Sequence, residues 1–272
     1  MIVVAGAPRS GTSLWMQVLT AAGFPYIGSE FSYSWQVAIG QANPRGFYES
    51  LFRQGINHTT NPHPKTGRYL HPDEVRHHVV KVFVPGLIRS DVAFVDLVVA
   101  TIRPWREFAL SLQRLHQLEE EHAYESNPQD PHGAVQRLRE RRSPVPPALQ
   151  WWLDNHRLLH DLRLRRHRYH LVAYDELIAD PAAPIGRVLD TLGRGDLHAA
   201  VAAVDPRLRT LNAPYFESSF LSHDDVQVFD ELYARILDRS ELPHAFLEQM
   251  NDTHERLLRR WAARSPAGPD DR

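Results

Sequence analysis

The stretch "MIVVAGAPRSGTSLWMQVL" at residues 1–19 constrains the fold more than any other part of the chain. Apolar residues 2–5 end at Gly6, a tight turn follows, and Gly11, Thr12 and Ser13 open a segment in which Leu14, Val18 and Leu19 recur at helical spacing. A buried strand that passes through a glycine-bounded turn into a helix begins a βα unit. Free amides at the helix start, reinforced by the helix dipole, make such a turn an anion nest. Phosphate or sulfate is its natural occupant.

Three further β-branched runs read as buried parallel strands, at residues 79–84, 94–102 and 169–174. Helical patterns lie between and after them, with Phe108, Leu112 and Leu115 marking one and "PALQWWLDNHRLLHDL" another. This alternation predicts an α/β fold of three layers, P-loop-like, with a central parallel sheet flanked by helices. Residues 1–264 form one domain in this reading. Within it, 113–147 is a flap or insertion, mostly loop between 127 and 147 because of its prolines and arginines, with a short helix near 134–141. Residues 224–264 read as two amphipathic helices separated near Pro243, and 265–272 as a disordered tail.

Composition removes several classes of function. A net charge of −2 lacks the concentrated basic excess of a nucleic-acid binder, so no nucleic-acid partner is expected. The most apolar run, 92–102, is broken by Asp96 and is too short to span a bilayer, and residues 1–6 leave no room for a secretory leader. A cytoplasmic enzyme without membrane association is the expectation. With no cysteine, any metal site would fall to histidine and carboxylates, and the pairs His77/His78 and His116/His122 lack the spacing of a zinc helix. No metal is expected. His58, His63 and His71 lie in a loop-like stretch and are candidates for an acceptor pocket.

Gly6 and Gly11 have the spacing of the nucleotide triphosphatase loop, G-x-x-x-x-G-K-[ST], but Thr12 stands where that loop places lysine. The nearby cation is Arg9. Here "PRSGTSL" resembles the 5′-phosphosulfate loop of sulfotransferases that use 3′-phosphoadenosine 5′-phosphosulfate, with Arg9, Ser10, Gly11, Thr12, Ser13 and Leu14 filling [KR]-[SA]-G-[ST]-[ST]-[LW]. "RPWREFALS" is similar to the family's 3′-phosphate segment, R-x-P-R-x-x-x-x-S, with Arg103, Arg106 and Ser111 at its first, fourth and ninth positions and Pro104 one place before the pattern's proline. A guanidinium fork and a serine hydroxyl one helix away suit phosphate oxygens. "AYDELIADP" resembles the family's Y-E-D-L-x-x-D-P, which places Tyr174 beside adenosine; Asp180 and Pro181 read as a plain helix start. "NPRGFYES" at 43–50 is similar to a stretch of the bacterial and Golgi-type branches. Arg207 and Arg209 fall where the family has a late basic segment that reaches the 3′-phosphate.

Lysine occurs only at Lys65 and Lys81, and Lys81 lies in the buried strand "VVKVFVP", where a charge needs a partner. The cytosolic branch of the family writes K-T-H-L-P here; this chain keeps the lysine but has Phe83 in place of the basic histidine. The tyrosylprotein branch, which the chain resembles more closely, uses a glutamate 21 residues after the loop arginine, and that position is Glu30. Glu30 is therefore the first candidate for general base and Glu49 the second. Lys81 and Arg9 would steady the departing oxygen. Trp15, Phe31, Tyr33, Trp35 and Phe47 offer aromatic surface to an apolar acceptor.

The resemblance implies transfer of a sulfuryl group from 3′-phosphoadenosine 5′-phosphosulfate to a hydroxyl, or less favourably an amine, of a small-molecule or glycan acceptor, leaving 3′,5′-diphosphoadenosine. Two other readings stay open on the sequence: an ATP-dependent small-molecule kinase with a degenerate loop, and a nucleotide-binding module without catalysis. The helical tail and the flap are surfaces that could pair two subunits as a homodimer.

Overall fold

The computed structural model describes residues 1–30, 40, 43–209 and 216–264. Five strands, β1 (Ile2–Gly6), β2 (Tyr26–Ile27), β3 (Val79–Phe83), β4 (Leu97–Ile102) and β5 (Tyr169–Ala173), form one all-parallel sheet in the order β2-β3-β1-β4-β5. Around them lie α1 (Thr12–Ala21), α2 (Val84–Arg89), α3 (Trp105–Glu125), α4 (Pro131–Arg141), α5 (Pro147–Leu164), α6 (Tyr174–Ala179), α7 (Ala182–Leu192), α8 (Leu197–Ala202), α9 (His223–Leu237) and α10 (His244–Arg264). The expected α/β layering is present.

Side-chain alternation along the strands builds the layers. Ile2, Val4, Val79, Leu97 and Val99 pack with Trp15, Met16 and Leu19 of α1 and with Ile185 and Val188 of α7. Val3, Ala5, Val80, Val82, Val98 and Ala100 face the other way, onto Trp151 and Trp152 of α5 and Phe229 of α9. Both faces are covered, which is why the strands read as unbroken apolar runs.

Several boundaries differ from the sequence reading. The strand expected at 94–102 begins at Leu97, because the Asp91 carboxylate accepts from the Ala93 amide (2.9 Å) and holds Val92–Phe94 in a 3-10 turn. β2, only two residues long, carries no periodic signal and was not anticipated. The flap is largely helical: α3 continues to Glu125, and α4 starts at Pro131, where Asp130 accepts from the Gly133 amide (3.0 Å). Proline at a helix's first position starts it rather than breaks it. Arg142 then closes this hairpin onto Glu119 (3.0 Å), Glu120 and the His116 carbonyl (2.7 Å). The two C-terminal helices are present, α9 opening with a reciprocal cap between Ser222 and Asp225. Residues 265–272 lie outside the described residues. Among the described residues no helix is long and apolar enough to cross a membrane.

Helix α5 links the sheet to the C-terminal helices. The Trp151 indole donates to the Arg103 carbonyl (2.7 Å), and the Trp151 and Trp152 rings stack on Phe229 at 5.1 and 4.7 Å. Further along, the His156 ring lies 4.0 Å from that of His254 on α10, nearly parallel, and 4.3 Å from that of His160. The Asn251 side-chain oxygen is 3.1 Å from Nε2 of both His156 and His160.

Burial, with the neighbouring His254 adding to it, pushes His156 from the ordinary 6.5 down to about 4, and burial also lowers His254. The unfolded chain therefore binds these protons more readily, and the stability from this contact is whole above pH 6.5 and falls as pH drops towards 4. After discounting for solvent screening, the loss is on the order of 1 kcal/mol, a shift of about 2–4 °C in Tm. Melting curves at pH 7.5 and 5.0 should show a steeper fall for the natural chain than for His156→Gln. Equal slopes would mean that the imidazole stack is not the source.

Candidate active site

In a parallel sheet every loop that follows a strand leaves from the same edge. Here that edge holds a cleft of about 380 Å³ whose wall includes Arg9, Gly11, Thr12, Ser13, Leu14, Lys81, Arg103, Ser111 and Tyr174. Arg9 follows β1, Lys81 lies within β3, Arg103 and Ser111 follow β4, and Tyr174 follows β5. Arg9 and Tyr174, 165 positions apart in the chain, thus line one cavity.

The turn between Gly6 and Gly11 is closed internally. Ser10 is buried and its hydroxyl donates to the Ala7 carbonyl (2.7 Å), so this side chain shapes the loop and does not line the cleft. The Thr101 hydroxyl donates to the Ser10 carbonyl (3.1 Å) and pins the turn to β4. Gly11 sits at φ 103°, and a Cβ there would lie 2.8 Å from a ring carbon of Tyr174, so both the backbone and the close aromatic exclude a side chain. No side chain caps α1 and no acidic residue occupies its first turn. The amides that a helix start cannot bond internally are left to face the cleft.

Arg9, itself at φ 69°, carries its guanidinium across to α3, where Nε donates to the Ser111 hydroxyl (3.0 Å). Arg103 Nη1 donates to the Arg9 carbonyl (3.4 Å), and its guanidinium lies 4.6 Å from the Tyr174 ring. Burial, aided by the nearby charge of Arg103, pulls Arg9 down to about 10. An anion between these cations would relieve that repulsion.

At the other side of the turn, Lys81 shares the α1 face of β3 with Val79, because Val80 and Val82 take the opposite face. It rises towards α1 and donates to Ser13 Oγ (3.1 Å), the Phe47 carbonyl (2.8 Å) and Glu49 Oε1 (2.6 Å). Burial lowers the Lys81 pKa, with Glu49 pulling the other way. Glu49 Oε2 is buried without a hydrogen-bond partner among the described residues, 3.7 Å from Arg53.

The two candidate bases are separated by local pairing. Ser29 and Glu49 form an antiparallel bridge, so the next residue, Glu30, faces the opposite way. Glu30 is exposed and lines an adjacent hollow with Gln17, Pro44, Arg45, Tyr48 and Ala203. There it meets the Tyr48 hydroxyl, whose pKa burial, first, and Glu30, second, raise to about 12. Glu49, not Glu30, stands in the loop cleft.

Other expected residues are placed differently. Arg106 grips Asp230 on α9 at 2.7 and 3.2 Å, away from the cleft. Arg209 pairs with Glu107 and with Asp175 (2.8 Å), 5.9 Å from the Tyr174 ring, and does not line the cleft; Arg207 does, beside Asp205 (2.9 Å). Trp15 is wholly buried in the core, whereas Phe47 lines the cleft; Phe31, Tyr33 and Trp35 lie outside the described residues. His58, His63 and His71 are absent from the cleft wall, and His63 instead accepts from the amides of Lys65 (3.2 Å) and Thr66 (3.3 Å) in its own turn. Of the flap, only Arg114 and Leu115 reach the cleft. Arg114 escaped the sequence reading although it lies one helical turn after Ser111. Among the described residues no group of three histidines or carboxylates could hold a metal.

In comparisons with known proteins, no family model and no curated protein matches this chain.

Lys81 and Glu49 are 4% and 9% exposed, so removing either partner strands a buried charge. Glu49→Ala should cost about 3–5 kcal/mol in urea unfolding, and the double variant Glu49→Leu, Lys81→Met should recover most of it. A single-variant loss below about 1 kcal/mol would show that water reaches the pair.

Proposed function

We propose that this chain is a sulfotransferase that takes a sulfuryl group from 3′-phosphoadenosine 5′-phosphosulfate and gives it to an acceptor hydroxyl. The observation that carries this reading is one cleft whose wall holds two groups of cations. Lys81 with the start of α1 forms one group, and Arg9 and Arg103 with Ser111 form the other. Such a cleft suits a nucleotide with phosphates at both 5′ and 3′ positions. Thr12 in place of the triphosphatase lysine, with the cation supplied from β3 instead, also favours a donor other than a triphosphate.

In the proposed reaction Glu49, whose Oε2 makes no hydrogen bond among the described residues, takes the proton of the acceptor hydroxyl. The acceptor oxygen bonds to sulfur as the bond from sulfur to the 5′-phosphate oxygen breaks, and the electron pair leaves with that phosphate. Lys81 and the first-turn amides of α1 hold the departing charge. Phe47 and Phe83, both in the cleft wall, offer an apolar side to the acceptor. The cytoplasm is the proposed place of action.

Calorimetry in chelator should show binding of 3′,5′-diphosphoadenosine, while ATP with magnesium binds more weakly. The reverse preference would point to a kinase. Glu49→Gln should keep nucleotide affinity and lower the transfer rate roughly 10²–10⁴-fold, whereas Glu30→Gln should leave the rate within about threefold. A nucleotide-binding module without catalysis would transfer nothing to any acceptor in a panel of phenols, alcohols and sugars.

A further inference from the structure

Glu107 is placed between Arg103 of the cleft wall and Arg209. It lies in the first turn of α3, four residues after Arg103, and is 3% exposed. A carboxylate so buried is costly unless cations meet it. Two do: Oε2 accepts from Arg103 Nε (3.0 Å), and Oε1 is paired with Arg209 Nη2. Arg209 is held in turn by Asp175 (2.8 Å), whose amide donates to the Tyr233 hydroxyl (3.2 Å).

A guanidinium is planar, with its N–H groups in a fixed fork. Tying the Nε edge of Arg103 to Glu107 therefore fixes the plane of the whole group. That plane lies 4.6 Å from the Tyr174 ring, with Nη1 directed to the loop at the Arg9 carbonyl (3.4 Å). Held in this way, Arg103 lines the cleft. Glu107 also joins Arg103 to the segment carrying Arg207, which lines the cleft rim.

We propose that Glu107 is a positioning residue for the phosphate at the Arg103 end of the cleft, setting the angle of the Arg103 fork and coupling it to Arg209. The proposal rests on the nucleotide reading above. Its signature is selective: loss of Glu107 should weaken ligands that carry a 3′-phosphate and spare those that lack one. A carboxylate serving stability alone would affect both alike.

The test is calorimetric titration of the full chain with 3′,5′-diphosphoadenosine and with adenosine 5′-phosphate. Glu107→Gln keeps the shape and removes the charge. It should weaken the diphosphate about tenfold or more, the scale of one charge-assisted hydrogen bond, and the monophosphate less than about twofold. Arg209→Gln, at a partly exposed position, provides a second reading if the first variant folds poorly; it should give a smaller loss, about threefold, again confined to the diphosphate. Equal losses for the two ligands, or an unchanged or improved preference for the diphosphate, would overturn the role of Glu107 alone. A natural chain that binds both ligands equally would overturn the nucleotide reading and this proposal with it.

Discussion

The arrangement depends on a parallel sheet buried on both faces. Strands that all run the same way send every following loop to one edge, and helices on both faces leave that edge as the place where polar groups can gather. The turn after β1, the Lys81 side chain, the start of α3 and Tyr174 meet there for this reason. The Thr101 hydroxyl on the Ser10 carbonyl and the Tyr174 ring against Gly11 then lock the loop to its neighbouring strands.

Charge is distributed unevenly along this edge. On one side the buried Lys81 is matched by Glu49, an ion pair that costs desolvation and is retained in a place where chemistry could use it. On the other side burial and the nearby charge of Arg103 disfavour the charge of Arg9, while Arg103 has Glu107 as its buried counter-ion. Such electrostatic tension is tolerated because the surrounding fold holds it. The Trp151 indole fixes the Arg103 carbonyl, and the aromatic stack onto Phe229 fixes Trp151. The C-terminal helices, remote in sequence, thus help to hold the cleft.

Much of the fold was legible because it rests on short-range patterns. Apolar runs gave β1, β3 and β5 to within a residue or so, and the glycine-bounded turn marked the start of α1. Residues 94–96 read as the start of a strand because the capped turn Val92–Phe94, made of Val, Ala and Phe, has the same composition as one. Residues 127–147 read mostly as loop, with only a short helix near 134–141, because the helix there starts on a side-chain cap and has no buried residue to leave an apolar stripe.

By itself, the sequence determined the layered α/β fold, the glycine-bounded turn between β1 and α1 and the cations near the strand ends, since each follows from residue type and spacing within one segment. Tertiary structure decided which carboxylate faces the cleft. Glu30 and Glu49 come from segments that pair through a single bridge, and the alternation at that bridge sends Glu49 to Lys81 and Glu30 to Tyr48. It likewise put Arg106 on Asp230 and brought Glu107 between Arg103 and Arg209. Pairings of this kind depend on how helices and loops from distant parts of the chain pack together, and no local spacing encodes them.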